Sequence, residues 1–92
     1  MTDFNDICKQ VYDAFIRMDC AGIGGIGETS DTWLFVYAPK KPEEVYYGYS
    51  PILVDKKTGI SKTLNLMNSD DRKIYYSATK IDVPLEYAPK YS

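Results

Sequence analysis

Ninety-two residues with a formal charge of −2 leave room for one domain, since domains run from about 50 to 250 residues. The chain has no histidine and two cysteines, which excludes imidazole acid–base chemistry, Ser-His-Asp or Cys-His nucleophiles and His-bearing zinc sites. Eleven basic against thirteen acidic side chains is too even for nucleic acid, whose binders carry a clustered basic surplus.

The start, Met1-Thr2-Asp3-Phe4-Asn5-Asp6, is acidic and lacks the basic and apolar regions of a signal peptide. The run Trp33 to Ala38 is far shorter than a membrane span. The expectation is a soluble, cytoplasmic chain with no membrane partner. Charge is divided unevenly. Residues 1–31 hold six acids against Lys9 and Arg17, and residues 32–92 hold nine bases against seven acids.

Phe4, Ile7, Cys8, Val11, Tyr12, Phe15 and Met18 recur at intervals of three and four. Such intervals gather on one side of a helix, so an amphipathic helix is predicted within 1–19. Thr2 or Asp3 can cap it, and acids in its first turn suit the helix dipole. Cys8 lies on the apolar stripe and reads as a small buried hydrophobe. Cys20 lies beyond the helix and reads as a candidate exposed thiol, with Arg17 the one nearby group to activate it. The two cysteines lack the CxxC spacing of a redox or metal site.

Gly22-Ile23-Gly24-Gly25-Ile26-Gly27 matches the G-x-G-x-x-G string of dinucleotide-binding folds. That string works only between a strand and a helix, where the helix N-terminus meets the pyrophosphate. Here a helix precedes it and a strand follows, so no nucleotide cofactor is expected. The segment reads instead as a glycine-rich strand with bends, where a helix packs close to the sheet.

Thr32 to Tyr37 is β-branched, aromatic and apolar almost throughout, as in a central strand covered on both faces. Two prolines and four charges then make a surface loop over 38–44. Ile52-Leu53-Val54-Asp55, the turn Lys56-Lys57-Thr58-Gly59 and a return over Ile60 to Leu66 read as a hairpin. On the return, Ile60, Leu64 and Leu66 are placed on one face, with Lys62 interrupting. The sheet is thus expected within 23–66. Asn68 or Ser69 can cap a short helix over 69–80 that opens on Asp70 and Asp71 and turns Ile74 and Ala78 inward. Residues 82–92 read as an extended tail.

The fold class is α+β: an N-terminal amphipathic helix packed on a four-stranded, mainly antiparallel sheet, with a short second helix near the C-terminus.

No catalytic constellation emerges. Asp70-Asp71 and Glu43-Glu44 are adjacent pairs whose side chains diverge, so neither forms an acid–base dyad. No catalytic residue, cofactor or metal ligand is expected. The nine tyrosines are the outlier, because tyrosine is enriched at protein interfaces, where a rigid apolar ring carries a polar tip. Tyr46, Tyr47 and Tyr49 precede the hairpin, and Tyr75 and Tyr76 are neighbours on the second helix, about 100° apart, so one of them projects outward. These five with Asp70 and Asp71 are the candidate partner-contacting residues. An exposed tyrosine patch is also compatible with a homodimer.

Trp33-Leu34-Phe35-Val36-Tyr37 and the later Tyr49-Ser50-Pro51-Ile52-Leu53-Val54-Asp55-Lys56-Lys57-Thr58-Gly59 resemble the immunity protein 35 type of the bacterial polymorphic-toxin systems. The similarity spans roughly residues 23–80 and is strongest in the hairpin. It implies a cytoplasmic protein that binds and neutralises a cognate protein toxin, without catalytic residues. The hairpin motif itself is structural, so no toxin-contacting position follows from it. The alternative is a chaperone-like or stress-related small binding protein of the same fold, without a dedicated toxin partner.

Overall fold

The computed structural model describes residues 2–41, 43 and 50–90. Helix α1 spans Phe4–Arg17, and Asp3 is its cap: Asp3 Oδ1 accepts from the backbone N–H groups of Asn5 and Asp6 at 2.8 and 3.2 Å. Ile7, Cys8, Val11 and Phe15 are buried along it. Each large apolar side chain removed from water contributes about 1.5–3 kcal/mol. The helix stops at Asp19, whose φ of 66° is left-handed. There the N–H groups of Asp19 and Cys20 close back on the carbonyls of Ile16 and Phe15. This is the paired hydrogen bonding that ends many helices, with aspartate where glycine is usual.

The strands are β1 (Gly22–Glu28), β2 (Thr32–Ala38), β3 (Ile52–Asp55), β4 (Ser61–Thr63) and β5 (Thr79–Ile81), with helix α2 (Ser69–Ser77) before the last. All pair antiparallel in the order β4-β3-β2-β1-β5. The α+β class, the packed N-terminal helix and the short second helix agree with the sequence expectation. The sheet differs by one strand. Residues 79–81 leave the helix predicted to 80 and pair with β1. The edge of β1 offers unpaired backbone groups there, and the pairing sets Ile81 opposite Ile26 against the main core.

The β1–β2 register slips between Ile23 and Gly25, a bulge that lets Ile23 and Ile26, three residues apart, both enter the core beneath α1. Gly24 must be bare at the bulge, since a Cβ there would lie 2.7 Å from the Tyr37 carbonyl oxygen. At Gly27 a Cβ would lie 2.8 Å from the Cβ of Ala78. The end of α2 thus rests directly on the glycine strand, the close approach that the glycines imply.

Alternation along β2 and β3 divides the interior into two layers. Trp33, Phe35 and Val54 join α1 in the larger core. Leu34, Leu53 and Leu64 form a smaller one with Ile74, Tyr75 and Ala78 of the α2 segment. Helices therefore cover both faces of the sheet. On the hairpin return only Leu64 is buried; Ile60 and Leu66 are exposed, because β4 runs for only three residues and does not carry the alternation to either end. Lys62 and Lys80 are the central residues of the two edge strands. The tail is tied down rather than free: Ile23 N–H donates to the Tyr87 carbonyl at 2.9 Å, and the Tyr87 ring packs on Tyr12 at 5.5 Å.

The glycines separate in a stability measurement. Gly27→Ala, which overpacks against Ala78, is expected to lower unfolding free energy by about 1–3 kcal/mol in urea titration. Gly25→Ala, whose Cβ meets nothing within 4 Å among the described residues, is expected to raise it by about 0.5 kcal/mol through the unfolded chain.

Candidate partner-binding surface

Helix α2 begins at Asn68, whose Oδ1 accepts from the N–H groups of Asp70 and Asp71 at 2.9 and 3.2 Å. Asp71 turns back to accept the Asn65 N–H through Oδ2 at 2.8 Å. Both aspartates therefore sit where a helix N-terminus favours negative charge, and Asp71 also fastens the preceding turn. Tyr75 packs into the smaller core. Its neighbour Tyr76 is 79% exposed and meets the Tyr75 ring edge-on at 5.3 Å. One tyrosine anchors and the other projects, as their angular separation requires.

The outward side of α2 carries Ser69, Arg72, Lys73, Tyr76 and Ser77 around a shallow depression. Met67, in the turn before the helix, is 89% exposed. Arg72, Lys73 and Met67 escape a search for catalytic motifs. The outward positions of Arg72 and Lys73 follow from helical spacing once Ile74 and Ala78 are placed inward. Tyr46, Tyr47 and Tyr49 lie outside the described residues. The structure thus brings together Asp70, Asp71, Tyr75 and Tyr76 of the seven candidates.

A second polar centre lies across the sheet. Lys56 Nζ donates to Glu28 Oε2 at 2.9 Å and to the Thr29 carbonyl at 2.8 Å, and lies 5.6 Å from the centre of the Trp33 ring. Trp33 Nε1 donates to the same Glu28 oxygen at 3.3 Å. The bond from Lys56, its positive charge and the indole N–H hold the Glu28 carboxyl below its ordinary range. Asp55 is held low as well, by the N–H groups of Thr58 and Lys57 that its Oδ1 accepts. Glu28, Lys56 and Trp33 are committed to one another, and Asp55 to the backbone of the hairpin turn, in keeping with a structural role for the motif.

Both cysteines are buried. Cys20, a candidate exposed thiol on sequence grounds, packs in the larger core because the helix-ending turn folds it back under α1. Burial, with a smaller effect of Glu86, pushes the Cys8 thiol up to about 11. Burial raises Cys20 too. Neither is an activated nucleophile. Among the described residues no group of three or more His, Cys, Asp or Glu could hold a metal ion, and no helix is long and apolar enough to cross a membrane.

A cavity of about 380 Å³ lies between α1 and the β3–β4 side of the sheet, with Ile7, Val11, Ile52 and Val54 among its lining residues and Gln10 and Arg17 at its border. Another, of about 450 Å³, lies on the opposite face beside Tyr76, over Gly25, Gly27 and Val36. Compared with known protein families, curated proteins and solved structures, the chain matches none.

The titrating groups set a pH profile. Glu28 and Asp55 have depressed folded pKa values, so their stabilisation is complete above the ordinary carboxylate range and is lost as pH falls from there through the lower folded values. Cys8 moves from 9.0 to about 11 on folding. The folded chain then holds a proton that the unfolded chain releases, and stability falls as pH rises through 9 to 11. The melting temperature is expected to drop on both flanks. Glu28→Gln should flatten the acid flank and Cys8→Ala the alkaline one, read by circular dichroism from pH 3 to 11.

Proposed function

We propose that this chain is an immunity-type inhibitor that binds a cognate toxin domain and occludes it. The observation that carries the reading is Tyr76, 79% exposed on a helix whose neighbouring residue is anchored in the core. An exposed aromatic held by a packed element loses little conformational freedom on binding, which is the property of an interface anchor. Arg72 beside it and the exposed Met67 in the turn before the helix are residue types enriched at interfaces. The hairpin that resembles the immunity protein 35 type supplies the rigid sheet on which this helix rests. Inhibition by occlusion asks for no reacting group, only for a surface and a framework that holds it.

The test is co-expression with the toxin domain encoded by the neighbouring reading frame. Protection of growth and a stable complex on gel filtration are expected, and Tyr76→Ala should weaken the complex at least tenfold, as loss of an anchor worth about 2 kcal/mol does. Stability of that variant should fall by no more than about 1.5 kcal/mol, the worth of the edge-on contact with Tyr75. Absence of both protection and complex overturns the reading. Suppression of aggregation of unrelated clients at equal ratios favours the chaperone-like alternative.

A further inference from the structure

The glycines of β1 have unequal reasons to be glycine. Gly24 is required by the bulge and Gly27 by Ala78, but the Cβ position of Gly25 meets nothing within 4 Å among the described residues. Its φ lies outside the left-handed region, so backbone conformation does not demand glycine either. Gly25 lies in the floor of the cavity of about 450 Å³ beside Tyr76. Helix α2 covers Leu34, Leu53 and Leu64 on this face, and its end closes over Gly27, which leaves the floor over Gly25 and Val36 open.

Cations outnumber acids around the two depressions that flank Tyr76. Lys80 borders the cavity directly, and Arg72 and Lys73 border the depression on the other side of Tyr76. No carboxylate lies within 4 Å of any of the three cations among the described residues. Asp82 is the one carboxylate among the described residues lining the two depressions. The two ionised groups of opposite sign on α2, Asp70 and Asp71, lie in its first turn and outside both linings. Three cations against one acid stand out in a chain whose overall charge is −2.

We propose that this groove seats an extended acidic segment of a partner protein, with apolar side chains at alternate positions entering over Gly25 and Val36. The intervening carboxylates then reach Lys80 on one side and Arg72 and Lys73 across Tyr76. Period-two alternation is what an extended chain offers, and it matches an apolar floor flanked by more cations than acids. A bare Gly25 lets the incoming backbone approach the sheet. The inference rests on the inhibitor reading for the identity of the partner, a toxin segment, but not for the chemistry of the groove.

The experiment titrates the isotopically labelled full chain, observed by amide NMR, with acetyl-Glu-Leu-Glu-Leu-Glu-Leu-Glu amide at low salt. Two further arms use the same peptide with lysine for glutamate and a short oligouridylate. Saturable shifts of Gly25, Gly27, Tyr76 and Lys80 with the acidic peptide alone are expected. Arg72→Gln, Lys73→Gln and Lys80→Gln combined should weaken them at least tenfold while the remaining spectrum is unchanged. Gly25→Val, which fills the floor from an open position, should do the same. No saturation at about 1 mM, equal response to the lysine peptide, shifts centred elsewhere, or tighter binding of the oligouridylate at these residues each overturns the proposal. A toxin domain that still binds the triple variant at parental affinity overturns the groove and leaves the inhibitor reading standing. Peptide binding in the groove without any toxin complex does the reverse.

Discussion

Ile23 and Ile26 are three residues apart, and on a regular strand they would face opposite sides of the sheet. Both lie in the core beneath α1 because one extra residue is inserted at the β1–β2 register slip. Most of the architecture follows from that accommodation. The bulge needs Gly24, and the bare backbone after it admits Ala78 against Gly27. With α2 ending there, β5 falls naturally on the free edge of β1. A strand poor in side chains is weak alone. Here it is held by β2 on one side and by β5 and the tail carbonyl of Tyr87 on the other.

Much of this was legible beforehand, for identifiable reasons. The stripe from Phe4 to Phe15 has a period only a helix satisfies, and Asp3 and Asn68 cap as their short acceptor side chains allow. The Gly22–Gly27 string was readable as strand because its flanks contradict a phosphate loop. The fifth strand was hidden. Ile81 lies seven residues after Ile74, a spacing that fits one helical face as well as it fits a strand end, and only the unpaired edge of β1 decides between them. Cys20 was hidden by the same kind of non-local cause, a helix-ending turn that folds the next residue inward. The candidate surface was half visible. Neighbouring Tyr75 and Tyr76 had to diverge, but the cavity beside them depends on Gly25 and Lys80, which approach α2 only through the sheet pairing.

The polar features divide by role. Glu28, Lys56 and Trp33 satisfy one another, Asp55 accepts the N–H groups of Lys57 and Thr58, and together they fix the turn end of the sheet. Arg72, Lys73 and Lys80 have no such partners among the described residues, and they surround the one exposed aromatic of α2. Committed charges build the framework, and uncommitted ones are left at the surface it displays. On the proposed reading, that contrast favours α2 and β5 for recognition over the hairpin that carries the resemblance.

The pairing of β5 with β1 joins residues 79–81 to 26–28 through only three positions. Short ladders with few buried contacts open at a lower free energy than the core of a protein. Release of this end would free Lys80 from its place and uncover Ile26 together. The proposed recognition surface and the short β1–β5 ladder would then open as one unit. A partner seated there would act as the missing outer layer of the sheet, and its affinity would be reduced by whatever fraction of molecules has that end open.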